Sequence, residues 1–305
     1  MSMGSPKMHS DEIDISPDLV GRLLASQFPQ WAGLPVLPVA SSGTDNALFR
    51  VGSDLVARLP RIQWTVEDVD KEHEWLPRLA PRLPLAIPAP LARGTPAEEY
   101  PWSWSIYRWL DGGNGIVHEV ADLNQTAVDL AHFIGALQQI DPRNGPRPDP
   151  YGSGRGVALV NRDAETREAI AGAGELLDAD AVIAAWDAAL QTPGWSGSPT
   201  WIHGDLQAGN MLFVNGRLSA VIDFGCLGVG DPACDLMPAW SFFTGESRNA
   251  FRRSLDVDDA TWARGRGWAL SVALIALPYY LHSNPAIVRA SRRTIAEVLA
   301  DGEDW

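Results

Sequence analysis

The sequence predicts an α+β protein in two parts: a small unit over residues 1–110, an antiparallel sheet with one packed helix, and a larger, mainly helical unit over residues 111–305. Short β-type runs crowd between Pro35 and Leu59, and the apolar spacing turns helical beyond Gly113. At 305 residues with 46% hydrophobic content, the chain can bury one large core or two.

Ser16 offers a cap and Pro17 a first turn for a helix whose apolar face is Leu19, Val20, Leu23 and Leu24. Val36 to Val39, Leu48 to Val51 and Leu55 to Leu59 read as antiparallel strands, separated by the turn-forming Ser41 to Asn46 and Gly52-Ser53-Asp54. Val66, Val69, Leu76 and Leu79 lie on one helical stripe, and Ser103 to Leu110 is a strand broken by Asp111-Gly112-Gly113. In the second part Leu130, Phe133, Ile134 and Leu137 mark a helix and Asp178 to Leu190 another, with Pro/Gly-rich loops at Asp141 to Gly154 and Thr192 to Thr200. Helices through Trp240, Trp268 to Leu281 and Ile287 to Leu299 complete the chain, and their apolar faces need a common core.

The net charge of −14 has the wrong sign for neutralising phosphate backbones, so no nucleic-acid partner is expected, whereas a cationic small molecule would be attracted. Cys226 and Cys234 are too few for a disulfide framework or a four-thiolate zinc site. Met1 to Ser16 has no apolar signal core, and the run from Trp268 to Leu281 falls short of the roughly 20 residues a bilayer needs. The expectation is a cytoplasmic protein, monomer or homodimer, with no membrane partner. Lysine occurs only at positions 7 and 71, so cationic roles fall to arginine.

Chemistry concentrates in Trp201-Ile-His-Gly-Asp-Leu-Gln-Ala-Gly-Asn-Met-Leu, where His203, Asp205 and Asn210 fit H-x-D-x-x-x-x-N, followed by Asp223 in Ile222-Asp-Phe-Gly. This combination resembles the kinase catalytic loop and its metal-binding segment, in which the first Asp receives or orients the substrate hydroxyl and Asn with the second Asp holds magnesium. Asn215-Gly216 is a hairpin signal that pairs Val214 with Arg217 and Asn210 with Val221, making Asn210 and Asp223 diagonal neighbours about 7 Å apart on one face. Gly204 and Gly209 let the preceding loop bend so that Asp205 can meet the metals. Each residue alone could be an ordinary loop Asp, turn Asn or strand-end Asp; the joint spacing favours a site. His203 is a candidate base beside Asp205, but an imidazole that holds the loop is the favoured role.

On these residues the chain resembles the aminoglycoside phosphotransferase family, which has a two-lobed protein-kinase-like fold. His203-Gly-Asp-Leu-Gln-Ala-Gly-Asn-Met-Leu is similar to the family's catalytic segment, and Val221-Ile-Asp-Phe-Gly with Gly230-Asp-Pro-Ala-Cys-Asp-Leu to its metal segment and the turn after it. The resemblance implies that Ser42, Gly43 and Thr44 cover the nucleotide and that Glu72 on the small-unit helix partners a strand cation. It also implies that Tyr107-Arg-Trp-Leu-Asp-Gly connects the lobes, with adenine bonded to the Arg108 carbonyl and the Leu110 amide. The family's strand cation is usually lysine; here it is Arg58, which keeps the charge and can grip phosphate or carboxylate bidentately.

The resemblance implies ATP or GTP and Mg2+ as cofactors and an aminoglycoside-like hydroxylated acceptor. A kinase for choline, homoserine or a macrolide, a nucleotide-binding pseudoenzyme suggested by Arg58, and a phosphohydrolase using His203, Asp205 and Asp223 are the alternatives. Asp231 and Asp235 read as turn anchors around Pro232 in preference to substrate-amine ligands. Trp240, Phe242, Phe243 and Glu246 could meet a ring-bearing polyamine, but core packing is the simpler account in a chain with 13 tryptophans.

Overall fold

A computed structural model describes residues 12–39, 45–148 and 154–301. Ser42, Gly43 and Thr44, expected over the nucleotide, lie outside the described residues. The chain divides into two compact units, Met1–Gly113 with Ser219–Gly225, and Asn114–Leu218 with Cys226–Trp305. The segment that carries Asp223 thus returns to the smaller unit, which a single cut after residue 110 does not contain.

The smaller unit opens with helix α1 (Pro17–Gln27), where the Ser16 hydroxyl accepts the Leu19 amide at 3.2 Å and Pro17 fills the first turn. Strands β1 (Val36–Pro38), β2 (Asn46–Val51) and β3 (Leu55–Pro60), helix α2 (Val66–Leu79), and strands β4 (Pro90–Gly94) and β5 (Trp104–Arg108) follow. The strands form one antiparallel sheet in the order β1-β2-β3-β5-β4.

Alternation along β3 decides the chemistry of this unit. Leu55, Ala57 and Leu59 join Phe49, Val51, Trp104, Ile106 and the Leu19, Val20, Leu23 and Leu24 face of α1 in one core. Full burial of side chains such as Leu23 and Leu24 contributes roughly 1.5–3 kcal/mol each, which holds a helix this short in place. Val56 and Arg58 must then take the opposite face, paired with Tyr107 and Ser105 of β5. Helix α2 lies on that second face: His73 meets the Ser105 hydroxyl at 3.1 Å. The stripe Val69, Leu76 and Leu79 is buried, and Glu72 and Trp75 are buried with it.

After the two-residue strand β6 (Gly113–Asn114), the larger unit contains helices α3 (Leu123–Gln138), α4 (Asp163–Ala173) and α5 (Ala179–Gln191), and strands β7 (Thr200–Ile202) and β8 (Met211–Val214). Strand β8 turns at Asn215-Gly216, both with positive φ, into β9 (Arg217–Val221). Strand β10 (Gly228–Gly230) pairs antiparallel with β7, and α6 (Pro238–Ser241), α7 (Gly245–Leu255), α8 (Asp259–Tyr279) and α9 (Pro285–Ala300) complete the unit. Its core is aromatic: Trp186, Trp201, Trp240, Trp268, Phe133, Phe213, Phe243 and Phe251 are fully buried. Trp240 and Phe243 are therefore core residues, while Glu246 is exposed in the first turn of α7.

Helix α8 begins well before Trp268 because Asp258 caps it, accepting the Thr261 amide at 2.6 Å. Helices α4 and α7 and strands β4, β7 and β10 were not expected; α4 buries only Thr166, Ile170 and Ala173, a stripe with little apolar signal. Among the described residues, no helix is long and apolar enough to cross a membrane.

Candidate active site

In the smaller unit, Arg58 joins two carboxylates. Its Nη1 donates to Glu72 Oε1 at 2.6 Å and its Nη2 to Asp223 Oδ1 at 2.7 Å, while the Tyr107 hydroxyl donates to Glu72 Oε2. The Glu72 side chain is 2% exposed, so without a partner its charge would be costly. Burial opposes the Arg58 charge, but Glu72 and then Asp223 outweigh it and raise its pKa well above the ordinary guanidinium value. A lysine ammonium could not present two parallel donors to two carboxylates with this geometry; a planar guanidinium can.

Helix α2 grips the same turn a second time. Lys71 Nζ donates to Asp68 Oδ1 at 2.8 Å and also to the Gly225 carbonyl. Burial, outweighing Lys71, pushes the Asp68 carboxyl up to about 6. A Cβ on Gly225 would lie 3.0 Å from Asp68 Oδ2, a tight approach that would make the Asp68 carboxylate give by a few tenths of an ångström. Asp223 itself has φ 66°, a left-handed conformation costing roughly 1–3 kcal/mol that the Arg58 ion pair helps to hold.

In the larger unit, β7 delivers the chain into a loop fastened from below by Asp235. This fully buried carboxylate accepts the His203 amide on Oδ2 and the Gly204 amide on Oδ1, both at 2.7 Å. Burial raises its pKa, although His203 and the two amides favour the charge. Gly204 has φ 82°, and a Cβ there would fall 2.6 Å from the Cys226 carbonyl oxygen. His203 is fully buried, and its Nδ1 accepts the Asp205 amide at 3.2 Å.

Asp205 is held on one side. Its Oδ2 accepts Asn210 Nδ2 and Gln207 Nε2, each at 2.9 Å, and Asn210 Nδ2 also bonds the Asp205 carbonyl at 2.9 Å. Its Oδ1 has only a long 3.4 Å contact with Arg155 Nη2. Asp231 caps the following turn by accepting the Ala233 amide at 3.0 Å and pairs with Arg264 at 2.8 Å. Asp231 and Asp235 are thus anchors, not surface ligands.

The expected strand geometry of two residues needs correction. Asn210 ends a 3-10 turn, Ala208–Asn210, ahead of β8, because its side chain folds back onto Asp205; Asp223 lies beyond β9 in left-handed conformation. Neither is a ladder position, so the diagonal-neighbour construction does not describe them. Asp205, His203 and Asn210 are brought together in the larger unit, and Arg58, Glu72 and Asp223 in the smaller. Arg108 and Leu110 flank Trp109, whose amide donates to the Asp54 carbonyl at 2.7 Å; the Arg108 amide donates to Ala89 at 3.0 Å. Sequence reasoning missed Asp68 and Arg155. Asp68 stands one helical turn before Glu72, a signal that could have found it, whereas Arg155 in Gly154-Arg-Gly156 carries none.

Carboxylate and amide oxygens are the hard donors magnesium takes, and magnesium needs only one or two protein carboxylates beside substrate phosphates. Among the described residues there is no group of three or more His, Cys, Asp or Glu side chains that could hold a metal ion alone.

Asp235→Ala tests the anchor. It strips two buried amides of their acceptor, and a loss of about 2–4 kcal/mol in urea unfolding is expected. A midpoint equal to the parent's would show that the loop does not depend on this carboxylate.

Fold and side-chain set together define a protein-kinase-like phosphotransferase. The model of the phosphotransferase enzyme family (APH) matches residues 36–268, and the chain belongs to that family. It is an enzyme that transfers a phosphoryl group to a hydroxyl acceptor.

Solved structures of similar fold include the GDP and kanamycin complex of APH(2")-IIia, with TM-score 0.74 and 18% identity over 93% of this chain and 99% of that one. Another is macrolide 2'-phosphotransferase MphH from Brachybacterium faecium, with TM-score 0.60 and 22% identity over 92% and 97%. A third is the streptomycin-ATP-APH(2")-IIa ternary complex, with TM-score 0.59 and 17% identity over 93% and 97%. No curated protein matches the sequence.

Proposed function

We propose that the enzyme moves the γ-phosphate of ATP or GTP to a hydroxyl of an aminoglycoside-like small molecule, with Asp205 as base or orienter. The observation that carries this reading is the asymmetry of Asp205: Oδ2 is saturated by Asn210 and Gln207, which aims the carboxylate and leaves Oδ1 for the acceptor hydroxyl. His203 acts behind Asp205, keeping its backbone in register.

Asn210 and Asp223 would hold Mg2+, which when bound bridges phosphate oxygens and neutralises their charge. Arg58, fixed by Glu72, supplies the cation for the phosphates. The Arg108 carbonyl and Leu110 amide read the purine edge. Similar folds crystallised with GDP and kanamycin, and with ATP and streptomycin, support the nucleotide and the polycationic acceptor, and the net charge of −14 favours such a ligand.

The test is a mass-spectrometric screen with ATP and GTP against kanamycin, streptomycin, gentamicin, a macrolide, choline and homoserine. A phosphate added to an aminoglycoside is the expected result. A phosphorylated macrolide, choline or homoserine would replace the acceptor class, and no product from any acceptor would overturn the reading in favour of a nucleotide-binding pseudoenzyme. Chelation of magnesium is expected to stop any transfer observed.

A further inference from the structure

The buried arginines of the larger unit differ in how well their donors are met. Arg264 places Nε on Asp231 Oδ2 at 2.8 Å and Nη1 on the Pro193 carbonyl at 2.9 Å. Arg248 bonds the Ala239 carbonyl at 2.7 Å, Asp301 at 3.1 Å and also Glu297. Arg155 is 14% exposed and has much poorer contacts: Asp205 Oδ1 at 3.4 Å, the Met237 thioether at 3.6 Å, the Cys226 thiol, a weak acceptor, and, among the described residues, no hydrogen-bond partner for its buried Nε. A charge-assisted bond is normally about 2.7–2.9 Å, and a thioether is a weak acceptor.

Burial opposes the Arg155 charge, but Asp205, with Cys226 and Cys234 beside it, outweighs burial and raises its pKa above the ordinary guanidinium value, so the group keeps its charge. Arg162 is close enough that Arg155, after burial, lowers its pKa. The loop from Gly204 to Asn210 contains no cation of its own, and Arg155 reaches its carboxylate from outside it. Arg155 therefore stays charged beside Asp205 while its nitrogens make only long or weak contacts, so it can turn toward an arriving anion without losing a strong bond.

We infer that Arg155 is a catalytic cation that meets the equatorial oxygens of the transferred phosphoryl group beside Asp205. The inference rests on the role proposed for Asp205. In the transfer, the acceptor oxygen forms a bond to the γ-phosphorus as the bond from that phosphorus to the β,γ-bridging oxygen breaks. The hydroxyl proton goes to Asp205 Oδ1 and the nucleoside diphosphate leaves. Negative charge is spread over the equatorial oxygens and grows on the bridging oxygen along this path, and Arg155 supplies fixed positive charge beside them without reorganisation.

The experiment measures magnesium-ADP binding by isothermal titration with and without fluoroaluminate, a mimic of the phosphoryl group in flight. Fluoroaluminate is expected to tighten ADP binding in the parent. Arg155→Gln, which removes the charge and shortens the side chain while leaving a polar amide in the loop, should lose at least tenfold of that tightening while binding of magnesium-ADP alone stays within threefold.

In turnover, Arg155→Ala should lose about 10²–10³-fold in kcat with little change in nucleotide KM, and added guanidinium should restore at least tenfold. Should the alanine variant not fold, Arg155→Gln decides by the same kcat and KM split. Full tightening and kcat within threefold of the parent in Arg155→Gln, or a loss confined to KM, would overturn the inference. If Asp205→Asn loses turnover while Arg155→Gln keeps it, Arg155 alone is misassigned. A parent that neither turns over nor tightens removes the role of Asp205 as well.

Discussion

Asp205→Asn is expected to lower kcat by about 10²–10⁴-fold while leaving magnesium-nucleotide affinity within threefold of the parent. The substitution keeps the shape of the side chain, and an amide oxygen can still accept from Asn210 Nδ2 and Gln207 Nε2, the two bonds that aim the group at 2.9 Å. What it removes is the ability of the second position to take a proton from the acceptor hydroxyl. An amide nitrogen would stand there instead, beside the Arg155 guanidinium. Steady-state kinetics with the acceptor found in the screen, alongside nucleotide titration, separates the two quantities. Turnover equal to the parent's would refute the role of Asp205, and a collapse of nucleotide affinity would mean that the loop had moved.

Parts of this site are legible in the sequence for different physical reasons. His203, Asp205 and Asn210 are legible because their chemistry is fixed by spacing within one loop, and loops with such local constraints leave a linear pattern. The placement of Arg58 opposite the α1 core follows from strand alternation, once Leu55, Ala57 and Leu59 are recognised as one face. Glu72 is legible as an anomaly, a carboxylate on an apolar stripe.

The errors are also physical. The ladder expected to include Asn210 fails because a side-chain bond to the Asp205 backbone competes with strand pairing, a local choice that hairpin register does not encode. Arg155 and the contact of Lys71 with Gly225 join positions far apart in the chain, where no period or motif reports the meeting. Helix α8 buries residues on nearly all its sides, so its start shows no amphipathic edge, and only the Asp258 cap marks it.

Asp223→Asn should cost on the order of 10²–10³-fold in kcat/KM and abolish the dependence of nucleotide binding on magnesium. Asparagine is the informative replacement because position 223 has φ 66°, a left-handed conformation that asparagine adopts more readily than alanine, so the backbone turn is kept and the charge alone is lost. Arg58 retains Glu72 at 2.6 Å, and the Asp223 side chain is 39% exposed, so the fold has little reason to suffer. A thermal midpoint near the parent's is therefore expected beside the large functional loss.

Two effects push nucleotide affinity in opposite directions in this variant. Replacing the carboxylate with a neutral amide weakens its hold on one Arg58 nitrogen and leaves more of the guanidinium charge for phosphate, which should strengthen binding in the absence of magnesium; losing a charged metal ligand should weaken it in magnesium's presence. The difference between titrations with and without magnesium isolates the second effect. If that difference is as large in Asp223→Asn as in the parent, Asp223 is only a counter-ion to Arg58 and the metal must be held by other residues.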